Sequence, residues 1–201
     1  MGNAQDSTRH VLVVRGVFGA LGGAERELLQ LIPKLENEWK VSLATLSLPE
    51  EAKQLLDSTT IDIYQSQTSF EPPIDTLSEV RNVASKQALR LWKSIAIPWD
   101  SIDVVHLSVC RGTLEILPLI PSTIPVLYHC LEPPRWLYED VLHRRLDGTN
   151  KRPALLTKIA FRKQRNDDQR LVRMLLKRPN STICGNSQYT ANRLATTYKL
   201  P

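Results

Sequence analysis

Short β-branched runs alternate with amphipathic stretches along the whole chain. Residues 10–15 (HVLVVR) hold four consecutive apolar positions and predict a buried strand. A glycine-rich loop, 16–23, leads to a stretch with Ala24, Leu28, Leu31, Ile32 and Leu35 on one helical face. Pro33 lies inside that pattern and should kink or end its last turn. Residues 39–46 alternate as a second strand and 61–64 give a short third. A long helix over 76–97 follows, carrying Leu77, Val80, Ala84, Ala88, Leu91 and Ile95.

The second half repeats the alternation. Residues 103–107 (DVVHL) and 124–129 (IPVLYH) are of strand length, 133–145 and 153–178 are helical with Pro near the first turn, 181–184 is a last strand and 188–198 a last helix. Strands alternating with helices imply an α/β fold, a doubly wound, mostly parallel sheet covered on both faces. Residues 1–8 read as a loose polar tail and 9–201 as one domain. Ligands of such sheets sit beyond the carboxyl ends of the strands, which selects 16–23, 106–111, 129–135 and 185–187.

Composition narrows the choices. The 201 residues are 42% hydrophobic and 23% charged, as expected of a folded domain rather than a disordered chain. Three cysteines (Cys110, Cys130 and Cys184) form no C-x-x-C, so reduced thiols are expected rather than a disulfide scaffold or zinc ribbon. His106, Cys110, His129 and Cys130 could meet at two strand ends, but the adjacent His129 and Cys130 would point to opposite faces, so no metal is expected. No apolar run is long enough to span a bilayer, residues 1–10 lack the apolar core of a secretory signal, and Asp6 breaks a myristoylation motif at Gly2. A sequon at Asn180 carries little weight in a cytoplasmic protein.

The net charge of +5 is unevenly placed: 12 Lys/Arg face 18 Asp/Glu over 1–142, but 12 face only 3 over 143–178. Within that segment Leu155, Leu156 and Ile159 pattern one end of a helix and Leu171, Val172, Leu175 and Leu176 the other. The stretch 162–170 (RKQRNDDQR) between them has no apolar residue and should bury no core face. It is either a solvated helix with internal Arg–Asp pairs or, through Arg162, Lys163 and Arg165, a patch for an anionic membrane or charged acceptor. No aromatic residues interleave with the charges, so nucleic acid is not expected.

The loop RGVFGALGGAER lies between a strand and a helix, where glycines admit a phosphate to backbone N–H groups and to the positive end of the helix. The other reading of these glycines is a tight turn at Gly16 and Gly19, with Gly22 and Gly23 easing helix-on-sheet packing. Glycines at 16, 19 and 22 fit the G-x-x-G-x-x-G of extended short-chain dehydrogenases, a nicotinamide-binding alternative. That chemistry needs Tyr-x-x-x-Lys, and no tyrosine here has a lysine four residues on.

Residues 22–35 (GGAERELLQLIPKL) resemble the start of retaining GT-B glycosyltransferases of family 4 (group 1 glycosyl transferases). Three further stretches agree in order: 103–106 (DVVH), 128–138 (YHCLEPPRWLY) and 185–194 (GNSQYTANRL). The resemblance implies the Rossmann-like N-terminal half of a GT-B fold. It would move a sugar from a nucleotide-sugar donor to a sugar or glycolipid acceptor, with no separate cofactor. Gly22 and Gly23 would meet the donor diphosphate and His129 the donor sugar. Arg15, Glu25, His106, Glu132, Arg135, Asn186 and Ser187 would line the cleft or acceptor side, His106 with the weaker case. The resemblance further implies a cytoplasmic location, in peripheral contact with the inner membrane face if the basic segment binds lipid. It stops at Pro201, where the family crosses to a donor-binding domain bearing E-x₇-E, so this chain alone is expected to be inactive. The other reading is a stand-alone phosphate- or membrane-binding module.

Overall fold

The computed structural model describes residues 8–19, 21–71, 76–139, 145–151 and 153–200. The expected tail, apart from its last residue, the segment 140–144 of the helix expected over 133–145, and the side chain of Leu77 lie outside the described residues. In chain order the elements are β1 (His10–Val17), α1 (Gly23–Leu35), β2 (Lys40–Ser47), α2 (Glu50–Gln54), β3 (Asp62–Gln65), α3 (Thr76–Arg81), α4 (Val83–Ser94), β4 (Val104–Ser108), β5 (Val126–His129), α5 (Arg135–Tyr138), α6 (Ala154–Leu176), β6 (Thr182–Cys184) and α7 (Gln188–Tyr198). Two 3₁₀ segments, Trp99–Ser101 and Leu114–Leu119, join them.

All six strands pair in parallel, in the order β3-β2-β1-β4-β5-β6. This is an α/β, Rossmann-like sheet. The order in which strands are added reverses between β1 and β4, which opens a crevice beyond their carboxyl ends. Alternation sorts the strand residues between two cores. Val11, Val13, Val41 and Leu43 pack with Leu28, Leu29 and Ile32 of α1. Leu12, Val14, Val105, Leu107, Val126 and Tyr128 face the opposite way, toward α4, α6 and α7. On the α1 side the far half of the sheet carries Val104, His106, Leu127 and His129, all only half-buried.

Several local readings change. The helix expected over 76–97 breaks at Asn82, which takes a left-handed φ of 51° and donates from Nδ2 to Asp167 Oδ2 at 2.7 Å. Asparagine tolerates that conformation, and its amide ties the break to α6. Pro33 leaves α1 helical for only two further residues.

The larger correction concerns α6. The stretch 162–170 does bury a face, made of polar side chains. Gln164 is buried, Asp168 accepts a hydrogen bond from the Tyr138 hydroxyl at 2.7 Å, and Arg165 Nε donates to the Leu137 carbonyl at 2.5 Å. Inward positions therefore run Thr157, Ala160, Phe161, Gln164, Asp168, Leu171, Val172 and Leu175, a continuous helical stripe. Leu155, Leu156 and Ile159, expected to face the core, lie on the opposite, solvent side.

Candidate functional site

The carboxyl-end rung of the sheet on the α1 face is polar. Register and alternation set Thr45, Arg15, Ser108, His129 and Cys184 across β2, β1, β4, β5 and β6. Arg15 is 4% exposed and uses its whole guanidinium as a brace across the crevice. Nε donates to the Val17 carbonyl at 3.1 Å, while one terminal nitrogen donates to Ser108 Oγ at 3.0 Å and the Val109 carbonyl at 3.1 Å. The other pairs with Glu25 in the first turn of α1. A charge so nearly buried persists because each guanidinium nitrogen has an acceptor and a carboxylate balances it. Ser108 was not singled out in the sequence, although its position two residues after His106 places it on the same face.

The glycines of the first loop divide into two kinds. A Cβ on Gly16 would lie 2.2 Å from the Arg111 carbonyl oxygen and 2.9 Å from Gly112 C and Thr113 N. The loop after β4 rests directly on it, and the Gly16 N–H donates to Thr113 Oγ1 at 2.8 Å. Around Gly19 and Gly23, by contrast, a Cβ would meet nothing within 4 Å. Gly22 is the N-cap of α1 and supplies no side-chain cap, so the helix opens on bare backbone donors at the crevice. Glu25 would weaken that positive end, but its pairing with Arg15 offsets the charge.

His129 closes β5 and is half-buried. Its ring centroid lies 5.8 Å from that of His106 on the neighbouring strand, the rings inclined at 49°. Burial first, and then the neighbouring His129, holds the His106 imidazole down at about 4, so it is neutral at physiological pH. Its Nδ1 is buried without a partner among the described residues. No group of three His, Cys, Asp or Glu among the described residues is arranged to hold a metal ion.

The remaining loops reach the same edge. The Val109 N–H donates to the His129 carbonyl at 3.0 Å and the Cys130 N–H to the Cys184 carbonyl at 2.8 Å. Arg135 and Arg193 grip Glu139 at 2.8 and 2.6 Å, joining α5 to α7 and holding the Glu139 carboxyl below its ordinary range. Glu132 is exposed and lies 3.9 Å from Arg135. Asn186 and Ser187 are also exposed, but their side chains serve the start of α7. Ser187 Oγ accepts from the Thr190 N–H at 3.2 Å, Asn186 Oδ1 accepts from the Thr190 hydroxyl at 3.0 Å, and Thr190 packs on Gly185 so closely that a Cβ there would lie 2.6 Å away. Arg165 points inward to Leu137, apart from Arg162 and Lys163, which are exposed.

Behind the crevice, on the opposite face, a cavity of about 50 Å³ is lined by Asn82, Ser85, Glu115, Gln164 and Asp168 among others. Burial pushes the Glu115 carboxyl up to about 7 and Asp168 up to about 6. Neither residue stood out in the sequence. Glu115 sits in a 3₁₀ segment without periodic pattern, and Asp168 in a run of charges that reads as solvated.

No family model and no curated protein matches the chain. Among solved structures, MurG of Acinetobacter baumannii is similar at 22% identity over 60% of this chain and 33% of its own, with a TM-score of 0.34. HepE of Anabaena, solved in complex with UDP and glucose, gives 13% identity, 89% and 44% coverage and a TM-score of 0.38. CalG4, the calicheamicin glycosyltransferase, gives 13%, 96% and 43%, and a TM-score of 0.41. The chain thus spans from a third to under half of the length of these structures.

Proposed function

We propose that the chain is the N-terminal, acceptor-side domain of a GT-B glycosyltransferase. It moves a sugar from a nucleotide-sugar donor to a glycan or lipid-linked acceptor. The observation that carries the reading is the opening of α1. The resembling Gly22-Gly23-Ala24-Glu25 places a helix N-terminus, with no side-chain cap from Gly22 and with open space at Gly23, at the point where the sheet's strand order reverses. Those N–H groups suit a diphosphate, whose charge grows as it leaves the sugar, and fixed dipoles stabilise such charge without reorganising. His129, on the same face and edge, offers a ring nitrogen to a donor-sugar hydroxyl, and His106 at its side stays neutral. Glu132 and Arg135 line the acceptor side of the loop after β5. A second domain supplies the other wall of the cleft and most donor contacts. Family 4 membership and retention at the anomeric carbon follow from the sequence resemblance alone.

The test is the variant His129→Ala in the two-domain enzyme. Turnover is expected to fall at least about tenfold, or roughly 1.4 kcal/mol, with the thermal melt unchanged. Unchanged turnover, or a variant that simply unfolds, would assign His129 to the scaffold.

A further inference from the structure

Glu25 lies in the first turn of α1, three residues after the cap Gly22, and brings negative charge to the helix end read above as a diphosphate seat. A glutamate at that position ordinarily turns back to the N–H of the cap residue. Glu25 instead reaches across to Arg15 on β1. The pair is sheltered, with side chains 16% and 4% exposed, and the Phe18 ring centre lies 5.6 Å from the guanidinium carbon. The other acceptors of Arg15, Ser108 Oγ and the carbonyls of Val17 and Val109, are neutral. The Cys110 thiol beside the pair donates to the same Val17 carbonyl at 3.2 Å, and burial pushes it up, so it carries no charge. Among the described residues Glu25 is thus the one group that cancels the Arg15 charge, and it does so from the first turn of α1.

We propose that Glu25 is an internal competitor of the diphosphate: by pairing with Arg15 it withholds a positive charge from the seat, so that the site holds a diphosphate loosely and lets the nucleoside diphosphate product leave. Sugar transfer breaks the bond between the anomeric carbon and the diphosphate oxygen, and the electron pair stays on the diphosphate. The released product therefore carries a further negative charge relative to the donor. A seat with an uncancelled arginine beside a helix N-terminus would hold that product more tightly than the donor and slow turnover at release. A carboxylate fixed on the same helix turn lowers the attraction for both and lowers it most for the more highly charged product. Arg15 and Glu25 act through the charge of the seat and touch no reacting atom, so both are positioning residues. The inference rests on the reading of residues 22–25 as the diphosphate seat and deepens it.

The test is a titration of this chain with inorganic pyrophosphate, UDP and uridine, following the amides of residues 22–25 by NMR and the thermal melt, in the parent and in the variants Glu25→Gln, Glu25→Asp and Arg15→Met/Glu25→Gln. Glu25→Gln should bind pyrophosphate and UDP at least about threefold more tightly than the parent, with a steeper loss as salt is raised. Uridine, which has no phosphate, should not distinguish the two. Glu25→Asp keeps the charge and should gain nothing, and the double variant removes both charges and should return to parental affinity. Leaving Arg15 buried without its carboxylate should lower the Glu25→Gln melt, and pyrophosphate should raise that melt by more than it raises the parent's. Glu25→Gln binding no tighter than the parent, or a double variant as tight as Glu25→Gln, would overturn the proposal and leave the seat standing. If the double variant unfolds, the Glu25→Asp comparison and the salt dependence decide in its place. A parent that binds neither anion at residues 22–25 would overturn the seat and the proposal together.

Discussion

Gly16→Ala is expected to cost about 3 kcal/mol or more, a large share of the marginal stability of an ordinary domain. The added methyl would meet the Arg111 carbonyl oxygen at 2.2 Å and two further backbone atoms at 2.9 Å. Backbone gives way only if the loop after β4 lifts. That would cost the buried hydrogen bond from the Gly16 N–H to Thr113 and disturb the Trp92 indole, which donates to the Gly112 carbonyl at 2.7 Å. Gly19→Ala and Gly23→Ala, a few residues on, meet open space and should shift stability by less than about 1 kcal/mol. Urea denaturation of the three variants checks the contrast. A Gly16→Ala protein within about 0.5 kcal/mol of the parent would show that the loop does not rest on β1 as described.

Glu115→Gln is expected to stabilise the protein at neutral and alkaline pH. The Glu115 carboxyl is held up at about 7 from an ordinary 4.5, so the folded state retains a proton that the unfolded chain releases. The neutral acid's contribution is therefore complete below about 4.5 and is lost progressively as pH rises toward 7, after which it stays lost. A shift of this size corresponds to about 3 kcal/mol. Glutamine keeps an acceptor for Ser85 and cannot ionise, so the variant should gain on the parent between pH 5 and 7 and hold a constant advantage above. Asp168, also raised, moves the parent in the same direction, whereas His106, held low by burial, loses stability as pH falls below its ordinary 6.5. Taking the difference between variant and parent melts removes the His106 contribution and all of the Asp168 contribution except its coupling to Glu115. A difference independent of pH from 5 to 8 would contradict the burial of Glu115.

The strands were legible because β-branched runs such as VLVV and the alternation of 39–46 have one stable disposition in a two-faced sheet. That the sheet is parallel followed from the helices between the strands. The α6 faces were not legible, since pattern alone cannot say which of two stripes looks inward. The apolar stripe at 155, 156 and 159 faces out, while Gln164 and Asp168 face in because Tyr138 and the α5 backbone supply polar neighbours from elsewhere in the chain. The same limit applies to Arg15. The resemblance sets it at the cleft, yet three strand-end acceptors and Glu25 already occupy it. The turn at 185–187 likewise combines a close glycine contact with a helix cap, so its composition is explained before any ligand is invoked.

The most direct test of the central proposal is an NMR titration of this chain with nucleotide sugars, following backbone amides and the histidine rings. The proposal predicts shifts at the amides of Gly22, Gly23, Ala24 and Glu25 together with the His129 ring. These should saturate only in the millimolar range, because the proposal leaves most donor contacts to a second domain. Micromolar binding, or shifts confined to residues away from that edge, would contradict it.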